Sequence, residues 1–162
     1  MADRLAVITG ASTGIGFELA HLAADDGYDL VVVADEPLIE AAARDFRRSG
    51  IEVFAVEADL ATFEGVDKLL QATGGRPIDV LCANAGTATG GAFLDLPVED
   101  WRRAIDTNVT GTVYLLQKVL AQMGKRSSGN VLGTGSIAGD VPASFTAGSN
   151  ATKAVLYYFT TA

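Results

Sequence analysis

Three glycines stand between an apolar run and a helical stretch near the start of the chain, and this junction constrains the fold more than any other feature. Leu5-Ala6-Val7-Ile8 reads as a strand, Phe17-Glu18-Leu19-Ala20-His21-Leu22-Ala23 as a helix, and residues 9–16 between them as a turn. Gly10 suits the tight exit from the strand. Gly14 and Gly16 remove side chains where backbone must approach a ligand and helix must pack on strand. N–H groups in a first helical turn lack intrahelical partners and sit at the positive end of the helix dipole, so the junction suits a phosphate. The spacing Gly-x-x-x-Gly-x-Gly departs from the commonest dinucleotide fingerprint but can do the same work. An ordinary glycine-rich turn is the competing reading.

The strand pattern recurs at residues 30–34, 51–56, 78–83 and 130–134, with helical stretches between. These runs are apolar on both alternating sets of positions, as parallel strands covered by helices on both faces must be. Pro37 opens a helix to about residue 48, stopped by Ser49-Gly50, and a second runs from Thr62 to about Gln71 before Gly74-Gly75. Pro97 begins the longest helical stretch, interrupted on its way through Trp101, Ile105, Val109, Leu116 and Val119 to Met123, with Gly124 marking its end. The order predicts an α/β fold, a three-layer αβα doubly wound parallel sheet of the Rossmann type. Ser127-Ser128-Gly129 is too short for a domain linker, so residues 1–162 read as one domain.

A formal net charge of −8 repels phosphate backbones over much of the surface and argues against nucleic acid as a partner. Arg44, Arg47 and Arg48, the densest basic group, read as one solvated helix face. No apolar stretch approaches the roughly 20 residues a membrane span needs, and Met1-Ala2-Asp3-Arg4 carries no export signal. Cys82 is the single cysteine, which excludes a disulfide within the chain and fits a reducing cytoplasm. His21, the lone histidine, has no spaced partner, so it reads as a helix-surface residue and no metal site is expected.

Asp35 follows the second strand and lies 19 residues after Gly16, near the spacing at which an acidic residue meets the adenosine ribose. A carboxylate there accepts two hydroxyl hydrogen bonds and repels a 2′-phosphate, favouring NAD over NADP. Alternatively, Asp35 caps the helix near Pro37, with Glu36 adding favourable dipole charge.

Taken together, these residues resemble the classical short-chain dehydrogenase/reductase family over essentially the whole chain. Residues 9–16 resemble its Thr-Gly-x-x-x-Gly-x-Gly loop, and Asn84-Ala85-Gly86 its Asn-Asn-Ala-Gly, with Ala83 in place of the first Asn. Asp59-Leu60 is similar to its adenine-contacting Asp motif, while Asn108, Ser136 and Lys153 occupy the places of three catalytic residues. The resemblance implies that Gly10, Ser12, Thr13, Gly14, Ile15, Gly16, Asp35, Asp59, Leu60, Asn84, Ala85, Gly86 and Lys153 hold the cofactor. It further implies hydride transfer between nicotinamide and an alcohol or carbonyl carbon. In that scheme Ser136 polarises the carbonyl, Asn108 holds a relay water, and Lys153 lowers a tyrosine's pKa and binds ribose.

That tyrosine is missing: the fourth residue before Lys153 is Ser149. An alkyl hydroxyl is far less acidic than a phenol of reference pKa near 10, and its side chain is shorter. The resemblance also implies a further strand, a helix and another strand after residue 162, so the C-terminal strands and the substrate-covering portion are expected to be missing. Without them the fifth strand should present an open edge. Homo-oligomers through the long helix and the Lys153 helix are implied too. Three readings therefore stand: an NAD-linked oxidoreductase impaired at Ser149, a dinucleotide-binding pseudoenzyme, or a bare fragment. A serine–lysine hydrolase dyad of Ser149 and Lys153 lacks any recognisable oxyanion hole.

Overall fold

The computed structural model describes residues 4–141 and 143–161. Met1, Ala2 and Asp3, on which much of the expectation about export rests, lie outside the described residues.

Strand β1 (Leu5–Thr9) leads into helix α1 (Gly14–Asp25), then β2 (Asp29–Ala34), α2 (Leu38–Phe46), β3 (Val53–Glu57), α3 (Phe63–Gln71) and β4 (Val80–Ala83). Helix α4 (Val98–Ile105), a π-helical turn (Asp106–Gly111) and helix α5 (Thr112–Arg126) follow as one rod. β5 (Asn130–Gly133) and α6 (Ala147–Thr161) complete the described elements. The five strands pair in the order β3-β2-β1-β4-β5, and every pair is parallel.

Alternation along each strand splits the core into two halves, which is why the strand runs are apolar at every position. Leu5, Val7, Val31 and Val33 pack with Val66 and Leu69 of α3 and Leu116 and Val119 of α5. Ala6, Ile8, Leu30 and Val32 pack the other way, against Ala20 of α1 and Ile39, Ala43 and Phe46 of α2. The three-layer αβα Rossmann architecture is thus present. Because the chain moves outward from β1 to β3 and then returns to place β4 on its other side, a crevice opens beyond the carboxyl ends of β1 and β4.

Several local expectations need correction. The long helix does not end at Gly124: it runs to Arg126 and stops where Ser127 turns left-handed at φ 51°. Gly124 meets open space on the helix surface, whereas the N–H groups of Ser127 and Ser128 close the last turn on the carbonyls of Gly124 and Met123. The interruption is a π turn, not a break. Strands β3 and β4 begin two residues later than expected, although Ile78 is already buried ahead of β4. Asp35 makes no cap on α2, which starts after Pro37 without a side-chain capping bond. β5 pairs only with β4 among the described residues, and its Leu132 is exposed.

Gly111 makes the closest approach in the rod, since a Cβ there would lie 1.8 Å from the Leu60 carbonyl oxygen. Replacing it forces α5 away from the β3–α3 connection. Gly111→Ala is expected to cost about 1–3 kcal/mol as an overpacking change, and so to lower Tm by about 2–4 °C per kcal/mol. Gly124→Ala, with no atom within 4 Å of its new methyl, is expected to leave Tm unchanged or raise it. Thermal denaturation of the pair checks both.

Candidate functional site

Five strand ends supply one cleft of about 440 Å³, within the ordinary range for a small-molecule site. Its floor is set by Thr9, buried at the end of β1. Thr9 Oγ1 accepts hydrogen bonds from the N–H groups of Asn84 and Ala85, each at 2.9 Å, and donates to the Cys82 carbonyl at 3.3 Å. The loops after β1 and β4 are thereby locked together. Asn84 reinforces the lock: its Nδ2 donates to the carbonyls of Thr9 and Gly10, and its Oδ1 accepts from Thr134 Oγ1 at 2.9 Å, joining β5 to the same cluster. Cys82 itself is enclosed, and burial pushes its thiol pKa up.

The glycine loop follows from this packing. Gly10 adopts φ +66°, and its backbone lies against Ala85. A Cβ on Gly16 would fall 2.1 Å from the Gly10 carbonyl oxygen, so α1 can approach β1 only without one. Gly14, at φ +58°, meets no atom within 4 Å; its requirement is conformational. Thr13 heads α1 without a side-chain capping bond. Ser12, Thr13 and Ile15 line the cleft beside that uncapped helix terminus.

At the opposite wall, Asp35 follows β2 and Asp59 follows β3. Arg103 of α4 joins them: its Nη2 donates to Asp35 Oδ2 and its Nη1 to Asp59 Oδ2, both at 2.9 Å. Burial alone would raise the Asp59 pKa, but the bonds from Arg103 and the Ala61 N–H, with the guanidinium's charge, bring it below the ordinary carboxylate value. The hydrogen bond to Asp59 raises Arg103 in turn, against a smaller opposing effect of burial. Beside them Ser12 Oγ donates to Glu36 Oε1 at 2.6 Å. Leu60 is buried and lines the same wall.

Toward β5 the cleft is lined by Ala85, Gly86, Thr134 and Lys153. Lys153 Nζ donates to the Thr134 carbonyl at 2.8 Å, and burial lowers its pKa. Asn108 sits in the π turn, 1% exposed. Its Oδ1 accepts from the Thr87 N–H, while its Nδ2 donates to the Thr87 carbonyl and to Thr152 Oγ1. The amide thus fixes the segment after Gly86 from behind the cleft.

Of the sequence-derived candidates, Gly10, Ser12, Thr13, Ile15, Asp35, Asp59, Leu60, Asn84, Ala85, Gly86 and Lys153 share the lining. Gly14, Gly16, Asn108, Ser136 and Ser149 do not. Ser136 is exposed and caps a short 3-10 turn by accepting from the Ala138 N–H at 3.1 Å. Ser149 Oγ accepts from the Thr89 N–H and donates to the Thr89 carbonyl, so its hydroxyl is spent on the loop after β4. Arg103 escaped the sequence reading. On α4 it looks like one more exposed helix cation, and only the fold carries it to two carboxylates 44 and 68 residues away. Among the described residues no cluster of potential metal ligands occurs, and no helix is long and apolar enough to cross a membrane.

Residues 4–162 match the family model for short chain dehydrogenases. The 3-oxoacyl-(acyl-carrier-protein) reductase of Staphylococcus epidermidis is 31% identical over 141 residues, covering 85% of this chain and 58% of that protein. The chain thus spans less than three fifths of that curated relative's length. Among solved structures, L-sorbose reductase from Gluconobacter frateurii, complexed with NADPH and L-sorbose, superposes with a TM-score of 0.90 at 32% identity. That match covers 96% of this chain and 61% of the reductase. NAD+-bound xylitol dehydrogenase superposes with a TM-score of 0.88 at 27% identity, over 98% of this chain and 62% of the other.

The Thr9 lock predicts its own test. Thr9→Val preserves shape but leaves the Ala85 N–H without its acceptor, at about 1–3 kcal/mol for the unsatisfied group, while the Asn84 N–H keeps the Cys82 carbonyl at 3.0 Å. A clear drop in the urea midpoint is expected, far beyond that of Ser136→Ala, whose hydroxyl caps only an exposed turn.

Proposed function

Because the chain belongs to the short-chain dehydrogenase family, we propose that its cleft holds NAD and serves an NAD-linked alcohol or carbonyl oxidoreductase. The observation that carries this reading is the continuous lining from Asp35 to Lys153 across the strand-order reversal, with the uncapped head of α1 between them. The site's donors suit the ligand. N–H groups at the start of α1 take the diphosphate. Asp35 accepts from the adenosine ribose hydroxyls, and Asp59 and Leu60 border the adenine. Asn84, Ala85 and Gly86 form the wall toward the nicotinamide, where the Lys153 ammonium binds the second ribose.

When bound, NAD supplies the hydride acceptor. The protein's task is then to place the alcohol or carbonyl and to move one proton at its oxygen. Asn108 positions the Thr87 backbone and Ser136 polarises the carbonyl. Ser149 is a poor proton donor on two grounds: its hydroxyl is far from acidic, and its one O–H is given to the Thr89 carbonyl while its oxygen accepts from the Thr89 N–H. Losing a positioned general acid lowers rate by roughly a hundredfold to ten-thousandfold. That same pair of bonds favours the second reading, a dinucleotide-binding protein that does not turn over.

Titration with NADH, read by nicotinamide fluorescence, tests the binding claim: saturable binding is expected, weakened roughly tenfold to a hundredfold in Asp35→Ala as hydrogen bonds to a charged acceptor are lost. No saturation by wild type overturns both readings. Ser149→Tyr tests the chemistry separately. It is expected to raise NAD-linked turnover on an alcohol and ketone panel at least about a hundredfold. If it binds NADH yet stays inert, the oxidoreductase reading falls and the non-catalytic one stands.

A further inference from the structure

The wall of the cleft formed by the ends of β2 and β3 carries three carboxylates, Asp35, Glu36 and Asp59, and one cation, Arg103. Were the carboxylates alone, a ligand bearing extra negative charge there would meet uniform repulsion. They are not alone. The guanidinium bridges the two aspartates: Nη1 donates to Asp59 Oδ2, and Nη2 donates to Asp35 Oδ2 at 2.9 Å and, at 3.4 Å, to Asp59 Oδ1, which also accepts from the Ala61 N–H. Asp35 has no such second tie: its bond to Arg103 engages Oδ2, both partners are about half exposed, and no other described hydrogen bond fixes the carboxylate.

We propose that Arg103 is a specificity-determining residue that limits how strongly the cleft rejects a dinucleotide phosphorylated at the adenosine 2′-hydroxyl. The inference rests on the reading of this cleft as a dinucleotide site. Asp35 by itself selects for free hydroxyls. Arg103 cancels one of the negative charges facing the 2′ position. It also offers a planar fork of donors whose geometry matches phosphate oxygens as well as carboxylate oxygens. A 2′-phosphate can replace Asp35 as the partner of Nη2 while Nη1 stays on Asp59, so the exchange leaves the arginine anchored. NAD remains the preferred form; the margin of preference is set from α4, a helix that carries none of the glycine-loop or acidic signals.

The test is the ratio of dissociation constants for NADPH and NADH, measured by fluorescence titration on wild type, Arg103→Met and Arg103→Lys. Arg103→Met is expected to raise that ratio about tenfold or more, the effect of losing a charge-assisted hydrogen bond. Arg103→Lys keeps the charge but not the fork and is expected to fall between. The pair is exposed enough that its loss does not threaten folding, and circular dichroism of both variants verifies this. Competition of NADH on wild type by adenosine 2′,5′-bisphosphate and by 5′-AMP gives a reading independent of any variant: the bisphosphate is expected to compete at a concentration within about tenfold of the monophosphate. A ratio unmoved in both variants, or a bisphosphate that does not compete, overturns the role of Arg103 while NADH binding by wild type leaves the dinucleotide reading intact. If wild type binds neither nucleotide, both fall.

Discussion

A single hydroxyl holds the two halves of this fold in register. Thr9 Oγ1 receives the N–H groups of the two residues that leave β4 and gives its own proton to the Cys82 carbonyl. At the reversal of strand order the chain ends of β1 and β4 would otherwise expose N–H groups that no ladder can satisfy. By meeting them from within, Thr9 lets Gly10 and Ala85 come into contact, and that contact gives the cleft its floor. Asn84 extends the same logic to β5 through Thr134. The carbonyl of Thr134 then receives Lys153, so a chain of hydrogen bonds runs from the first strand to the last described helix.

The polar groups around the cleft fall into two kinds. Asn84, Asn108 and Ser149 are engaged by backbone groups and neighbouring threonine hydroxyls and act as fasteners. Asp35, Glu36, Asp59, Arg103 and Lys153 line the open space and keep charge at its surface. The first kind gives the second a fixed frame. This division explains why a serine at position 149 is compatible with a fixed loop after β4: the short side chain reaches Thr89 and ties it.

Much of the architecture was legible because its signals are local. Apolar residues on both strand faces require helices on both sides, and Leu5, Ala6, Val7 and Ile8 do divide between the two core halves. The glycine turn was readable because its demands are partly local: Gly16 answers to the Gly10 carbonyl, and Gly10 and Gly14 to their left-handed backbone. What stayed hidden depends on contacts between distant segments. Nothing in Trp101-Arg102-Arg103 announces that the third residue will meet β2 and β3. Nor does the sequence around Asp35 show that its carboxylate turns to an arginine rather than to the head of α2. The end of α5 was misplaced for a different reason: a glycine late in a helix resembles a stop signal, yet Gly124 is tolerated on the open face and the left-handed turn falls at Ser127.

Cys82 lies on β4, between β1 and the edge strand β5, 5% exposed, with its thiol pKa pushed up by burial. Thiolate chemistry at that sulfur requires both access and ionisation, and the folded sheet withholds both. Alkylating or oxidising reagents therefore reach it only through excursions that open the packing around β4. The chain carries, in its one cysteine, a gauge of how often its interior comes apart.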